Sequence, residues 1–350
     1  MWILCTGSST RVFACSKTTA WNEESMDVIR RLVKNPTSLI GIVLLLGFIV
    51  VAIAAPVIAP PEKNSRNVYI IPRDGFSNQP KAPSEKHMMG TTEGQYDILY
   101  GVVWGTRTAF RVGIVITLIT TLIGLIIGSL AGFYGGWVDE VLMRITEVFL
   151  VFPFLLAAIT LTSVLQTVYG RGEANFLVYL AKGLAMITFF QSPTTNLDPI
   201  QIQILTGMLA IIVFGWMTYA RVIRGNILAV KEQEYAVAAK LIGASDIRIL
   251  FRHLLPNAVF PVVVLASMDI GSYVLTFAAL SFLGLGAQRG YADWGQMISF
   301  ARSWIPSLGT YWYIVVYPGI AIILFVLAWN LVGDALRDLM DPRLRGRGND

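Results

Sequence analysis

Side chains able to do chemistry are sparse in this 350-residue chain, and none is spaced for catalysis. His87 and His253 are the only histidines, so no nucleophile–His–acid set can be assembled and no zinc-type spacing exists. No G-x-x-x-x-G-K-[ST] loop is present to cradle phosphates, so the chain does not read as a nucleotide hydrolase. Cys5 and Cys15, the only cysteines, are too few and too close to one end to frame a fold. The chemistry left is that of charges inside apolar runs. Asp269 stands deep in one such run. It reads either as a counter-charge for an ammonium group or as a hydrogen-bonded structural carboxylate, because ionisable groups at such depth face a cavity or a partner. Arg144 and Glu147, three residues apart, share a helix face and read first as a structural ion pair. Pro153 is placed to kink their helix.

The elements that must hold these groups are membrane-spanning helices. The chain is 55% hydrophobic and 14% charged, well short of the roughly 25% charge of a soluble domain. A span needs about 20 mostly apolar residues. Six runs qualify: between Lys34 and Glu62, about 108–133, about 138–165, between Asp198 and Arg221, about 258–285 and about 311–332. The expectation is an all-α membrane protein. It divides into a tail at 1–37, a first span at 38–59, an external loop region at 60–107, a five-helix core at 108–335 with a polar loop at 222–257, and a second tail at 336–350.

Orientation follows the basic residues. Arg30, Arg31 and Lys34 precede the first span, Arg221 to Arg252 fill the polar loop, and Arg337 to Arg347 follow the last span. Six spans put all three clusters on one side, which is then cytoplasmic. His87 and His253 fall on opposite sides. The net charge of +5 is this bias and not a nucleic-acid footprint, since no dense Lys/Arg tract occurs. Met26, Ile29, Leu32 and Val33 recur at helical spacing, as a short surface helix or as the flank of the first span. No cleavable signal peptide is evident, and Met26 is an alternative start. A seventh apolar stretch, 174–190, carries Lys182 at its centre, at a cost of about 2.5–3.5 kcal/mol for full insertion. It reads as an interfacial or re-entrant helix. Gly124, Gly128 and Gly132 form a small-residue stripe on the second span, suited to close helix packing.

The polar loop is itself ordered by its sequence. Good helix formers run from Glu234 to Ile242, and Gly243 is placed to end or bend that helix. Ala244-Ser245-Asp246 can cap a second helix that begins near Ile247 and ends at Pro256. The result is a helix–turn–helix at the membrane surface.

Glu234, then Ala238-Ala239, Gly243 and the distal Leu255-Pro256 resemble the EAA loop of binding-protein-dependent ABC importer permeases. Nearly the whole chain after Met26 resembles the C-type permease of dipeptide, oligopeptide and nickel importers. The resemblance rests on Ala55 to Pro60, His87-Met88-Met89-Gly90-Thr91, Ser281-Phe282-Leu283-Gly284-Leu285-Gly286, Trp294-Gly295, and Asn330 to Asp338 with Asp341-Pro342-Arg343. Where that family has Gly-Thr-Asp-x-x-Gly-Arg-Asp, this chain departs at Thr92, Gln95 and Tyr96.

The resemblance implies the type I ABC importer permease fold in a prokaryotic inner membrane, both termini cytoplasmic and no cofactor. The partners would be a second homologous permease forming a heterodimer, two ATPase subunits and an external substrate-binding protein. Glu234, Ala238, Ala239, Gly243, Ser245 and Pro256 would couple to the ATPase, with Glu234 pairing to a basic group there. Asp269, Glu147 and Arg144 become candidates for the translocation path. The implied cargo is di- or oligopeptides, with nickel chelates or another small solute as the alternative. An ion-gradient-driven secondary transporter is the alternative of a different class.

Overall fold

A computed structural model describes residues 35–62, 67–170, 176–189 and 198–340. The N-terminal amphipathic stretch, both cysteines and Asp341-Pro342-Arg343 lie outside the described residues. The regular secondary structure among the described residues is helical, with three isolated β-bridges in the connecting segments. The helices are α1 (Pro36–Ile58), α2 (Ile98–Tyr134), α3 (Gly136–Leu150), α4 (Phe154–Gly170), α5 (Phe176–Phe189), α6 (Pro199–Gly215), α7 (Met217–Lys231), α8 (Glu234–Leu241), α9 (Phe260–Phe282), α10 (Trp294–Ser299) and α11 (Tyr313–Met340). Five stretches are long and apolar enough to cross a membrane, α6 and α7 counting as one; the pair α3–α4 makes a sixth if taken together.

Local chemistry starts these helices. Asn35 caps α1 by accepting from the Thr37 amide, with Pro36 in the first turn. Asp97 caps α2 by accepting from the Tyr100 amide at 2.7 Å. Asp198 and Gln201 form a reciprocal capping box on α6. Burial then sorts the helices. In the most apolar stretch of α1, 17% of residues are buried within the chain, against 67% for α6–α7. Leu39, Val43, Leu46, Val50 and Ile53 of α1 are therefore free to meet lipid, while α6–α7 sit at the centre.

α2 packs along α7 and α9, and α11 packs on α9 and α1. The glycine stripe sets the first contact. A methyl group at Gly124 would strike Tyr219, and one at Gly128 would overlap the Ala220 carbonyl oxygen. At Gly132 it would press on Arg224 and Ile227. The stripe is thus covered by α7 of the same chain.

The helix ends differ from the sequence expectation at several places. α2 begins at Ile98, so the end of the expected loop 60–107 is helical. Hydropathy hides this start because Arg107 interrupts the apolar run, with Arg111 one turn beyond it. Arg107 donates to the Ala52 carbonyl and lies 4.8 Å from the Trp104 ring, and Arg111 lies 4.5 Å from the Tyr69 ring. The fourth span does not stop at Arg221 but runs on through α7 to Lys231, which shortens the expected loop 222–257. Arg224 is accommodated there by a two-pronged pair with Asp139 of α3. The third span is not one helix: α3 and α4 meet at 87° across Val151-Phe152-Pro153. Pro153 has no amide to continue α3, so the axis turns there. α5, at 14 residues, extends about 21 Å and is too short to cross a ~30 Å core. Finally, α11 runs to Met340, into the expected tail at 336–350.

Candidate functional site

Two regions carry the functional candidates. The first is the exposed elbow after α7. α8 turns Ala236 and Ala239 inward, both 5% exposed, and Ala238 outward. Only two of the small residues therefore seat this helix on its own chain. The helix ends in a Schellman turn: the Ala244 amide donates to the Ala239 carbonyl and the Gly243 amide to the Lys240 carbonyl, each at 3.1 Å. Gly243 takes φ +82°, and nothing lies within 4 Å of where its side chain would be. Its glycine is required by backbone conformation, not by space.

Beyond the turn, Ser245 accepts from the Ile249 amide through its carbonyl; its hydroxyl caps nothing. The second arm is Asp246–Arg248, then the wide π-helical turns Ile249–Leu254, then Leu255–Ala258. Contrary to the expectation, Pro256 does not end this arm. It sits in the first turn of Leu255–Ala258, where a missing amide is tolerated, and the chain continues into α9. Ile249, Leu250 and Leu254 bury themselves, and Asn226 of α7 donates to the Ala258 carbonyl at 3.0 Å.

On the outer side, Leu241 and Ile242 are 83% and 85% exposed, and Ile247 and Phe251 are 69% and 62% exposed. Large apolar side chains thus flank Gly243 on both sides, in a segment otherwise rich in charge. Glu234 is exposed and forms no ion pair among the described residues.

The second region surrounds Asp269 on α9. Its carboxylate accepts from the Tyr219 hydroxyl at 2.7 Å, and Tyr273 donates to the Gly215 carbonyl at 3.1 Å. Asp269, Tyr273 and Gly215 border a cavity of about 540 Å³ whose other walls include Phe149, Phe152, Pro153, Phe154 and Phe214. The cavity lies at the α3–α4 break. Ser272, Thr218 and Thr276 add hydroxyls to it. Arg144 and Glu147 do not line it. They face outward on α3, 3.8 Å apart and more than half exposed, a geometry worth little in stability.

Sequence reading missed the partner of Asp269, because Tyr219 lies 50 positions away. It also missed Asp139 as the partner of Arg224. An arginine inside a long helix was the available signal, since such a charge needs a counter-charge.

His87, at the opposite end of the bundle, contacts the Asp97 carboxylate at 2.5 Å and Asp74 at 3.5 Å. It ties the loop to the cap of α2. Lys86 first, and then His87, hold the exposed Asp74 carboxyl below the usual carboxylate range.

Comparison with known proteins bears on both regions. The model of the binding-protein-dependent transport system inner membrane component matches residues 124–346. The N-terminal transmembrane domain of oligopeptide transport permease C matches residues 25–80. The chain is 31% identical over 319 residues to a dipeptide transport system permease protein of Alkalihalophilus pseudofirmus, covering 91% of this chain and 90% of that one. It is 34% identical over 328 residues to a glutathione transport system permease protein of Escherichia coli, covering 94% and 92%. A glutathione transport system permease protein of Pectobacterium atrosepticum is 38% identical over 213 residues, 61% of this chain and 58% of that one.

Proposed function

Since this chain belongs to the family of binding-protein-dependent transport system inner membrane components, as an oligopeptide-type permease of an ABC transporter whose ATPase lies in partner subunits, we propose that it forms one half of the membrane channel of a peptide importer. The other half is a second, homologous permease. Two ATPase subunits grip the elbow around Gly243, and an external binding protein delivers the cargo. Both termini and the elbow face the cytoplasm. Relatives named for dipeptides and for glutathione support the peptide class. Membership of this family sets aside the ion-gradient-driven alternative.

The observation that carries the docking assignment is the exposed apolar flank of Gly243. Burying one Leu, Ile or Phe side chain contributes about 1.5–3 kcal/mol, so this flank is a strong anchor once covered. The Schellman turn holds Leu241 and Ile242 at a fixed angle to Ile247 and Phe251. The buried alanines Ala236 and Ala239, with Ile249, Leu250 and Leu254, transmit a push on the elbow to α7 and α9. Those helices border the Asp269 cavity, so the elbow and the cavity share walls. Coupling requires contacts that differ between the inward- and outward-facing states. Asp269, with Tyr219 and Tyr273, lies along the path, where a peptide ammonium can meet its carboxylate. Arg144 and Glu147, facing outward, are placed to meet lipid or the second permease.

The test is ATPase activity of the complete reconstituted complex with and without binding protein loaded with a dipeptide. Stimulation together with dipeptide uptake is expected. Stimulation without uptake of any peptide would overturn the cargo assignment.

A further inference from the structure

At the end of the bundle opposite the elbow, a second cavity of about 360 Å³ opens between the turn after α9 and the short 3-10 helix Phe300–Ser307 that follows α10. Its floor is the Ser281–Gly286 turn, held by the Ser281 hydroxyl, which accepts from the Ala287 amide at 2.9 Å. Gln296 of α10 borders the cavity and is only 2% exposed, yet its Oε1 has no hydrogen-bond partner among the described residues. Such an atom is costly to bury unless something completes it.

Two arginines line the same space with different fates. Arg289 is held by Glu93 at 2.7 Å, and Glu93 also accepts from the Trp304 indole at 3.2 Å. Arg302 has no carboxylate partner among the described residues; its guanidinium rests 4.2 Å from the Phe282 ring centre. One positive charge is therefore in excess in the lining. Gln288 and Ser303 add further polar groups beside it. The cavity falls within the range of small-ligand pockets. An aromatic floor, an amide and an unpaired guanidinium match a short peptide: its carboxylate for Arg302, its N–H for the Gln296 oxygen.

We propose that this cavity is the entry subsite of the importer, holding the cargo by its terminal carboxylate on Arg302 and by its backbone N–H on Gln296. The proposal rests on the peptide-importer reading. It adds that this chain itself selects for a free carboxylate, before the cargo reaches Asp269. The two cavities lie along one helix, with Asp269 and Thr276 of α9 in one and Ser281 and Phe282 in the other. A zwitterionic peptide so meets a cation first and an anion later.

The experiment compares uptake of leucyl-leucine and of its C-terminal amide by the complete transporter in proteoliposomes with its binding protein. The binding protein imposes its own preference, so the readout is how each variant changes the acid-to-amide ratio of kcat/KM. R302Q is expected to lower uptake of the acid about tenfold and of the amide less than twofold, with R302K restoring most of the ratio. Q296L should lower uptake of both forms alike, since both keep the backbone N–H. An unchanged ratio in R302Q overturns the subsite. An equal fall for acid and amide in R302Q also overturns it, and assigns Arg302 to contact with the binding protein. If loaded binding protein stimulates the ATPase but neither form enters, the peptide reading fails and the subsite falls with it.

Discussion

At one end of the bundle, aromatic rings from distant segments close on one another. Tyr69 stacks on Tyr291 at 5.6 Å, Tyr96 on Phe300 at 5.1 Å, and Trp294 donates its indole N–H to the Val102 carbonyl at 3.0 Å. At the other end, Leu241, Ile242, Ile247 and Phe251 stand in the open around a single glycine. The first end closes its aromatic cluster within the chain. The second leaves those side chains uncovered within the chain. Glycines mark the same contrast: Gly295 is required because the Ala278 backbone fills the space of a side chain, and Gly243 because of its φ. One end is held by packing, and the other is shaped by its backbone but uncovered.

Substitutions can break this contrast in order of size. Gly295→Val should destabilise the chain most, by about 3 kcal/mol or more, because the Ala278 backbone cannot retreat. A drop of several degrees in the unfolding temperature of the detergent-purified chain checks it. Gly243→Val should cost about 1–2 kcal/mol locally, with little change in that temperature, since only backbone conformation resists it. Its effect should appear as reduced ATPase stimulation by loaded binding protein.

Asp293 gives the packed end a pH dependence. Burial pushes its carboxyl up to about 6 from 3.8, against the Gln296 amide that it accepts from. The folded state therefore holds this proton more tightly than the unfolded one. The resulting stabilisation is complete below about 3.8 and is lost as pH rises through about 6. It is on the order of 3 kcal/mol. Unfolding followed from pH 4.5 to 7.5 should show a decline that Asp293→Asn flattens.

The smallest effect concerns Gln95, which sits at φ +62° where the resembling family has glycine. Its amide donates to the Gln79 carbonyl at 2.7 Å, which offsets the strain. Gln95→Gly should change stability by less than about 1 kcal/mol, as the relieved strain and the lost bond oppose each other. Chemical denaturation would measure the difference.

Much of this was legible in the sequence, and the rest was hidden for physical reasons. Long apolar runs, uncharged for α1 and α11 and broken only by Asp269 for α9, marked these spans because lipid demands such runs. The position of Gly243 after a run of helix formers announced the elbow. The start of α2 was obscured because Arg107 and Arg111 break the apolar run while being accommodated by segments elsewhere. The 87° turn at Pro153 was foreseen only as a kink, since the axis beyond a proline depends on what the next helix packs against. The aromatic end was invisible: Tyr69 and Tyr291 share no local period, and only the folded chain joins them. The Asp269 pocket was half legible, its carboxylate plain in the sequence but its tyrosine partner not.

The central claim is that the uncovered end around Gly243 is the grip of the ATPase subunits. Ile242→Asp changes only a side chain that is 85% exposed, so the chain itself should fold as before. The decisive measurement is the amount of ATPase subunit that copurifies with affinity-tagged permease complex carrying this substitution in detergent. The account predicts that the second permease remains bound while the ATPase subunits are lost, at least tenfold below wild type. Undiminished recovery of both ATPase subunits with the Ile242→Asp chain would contradict it.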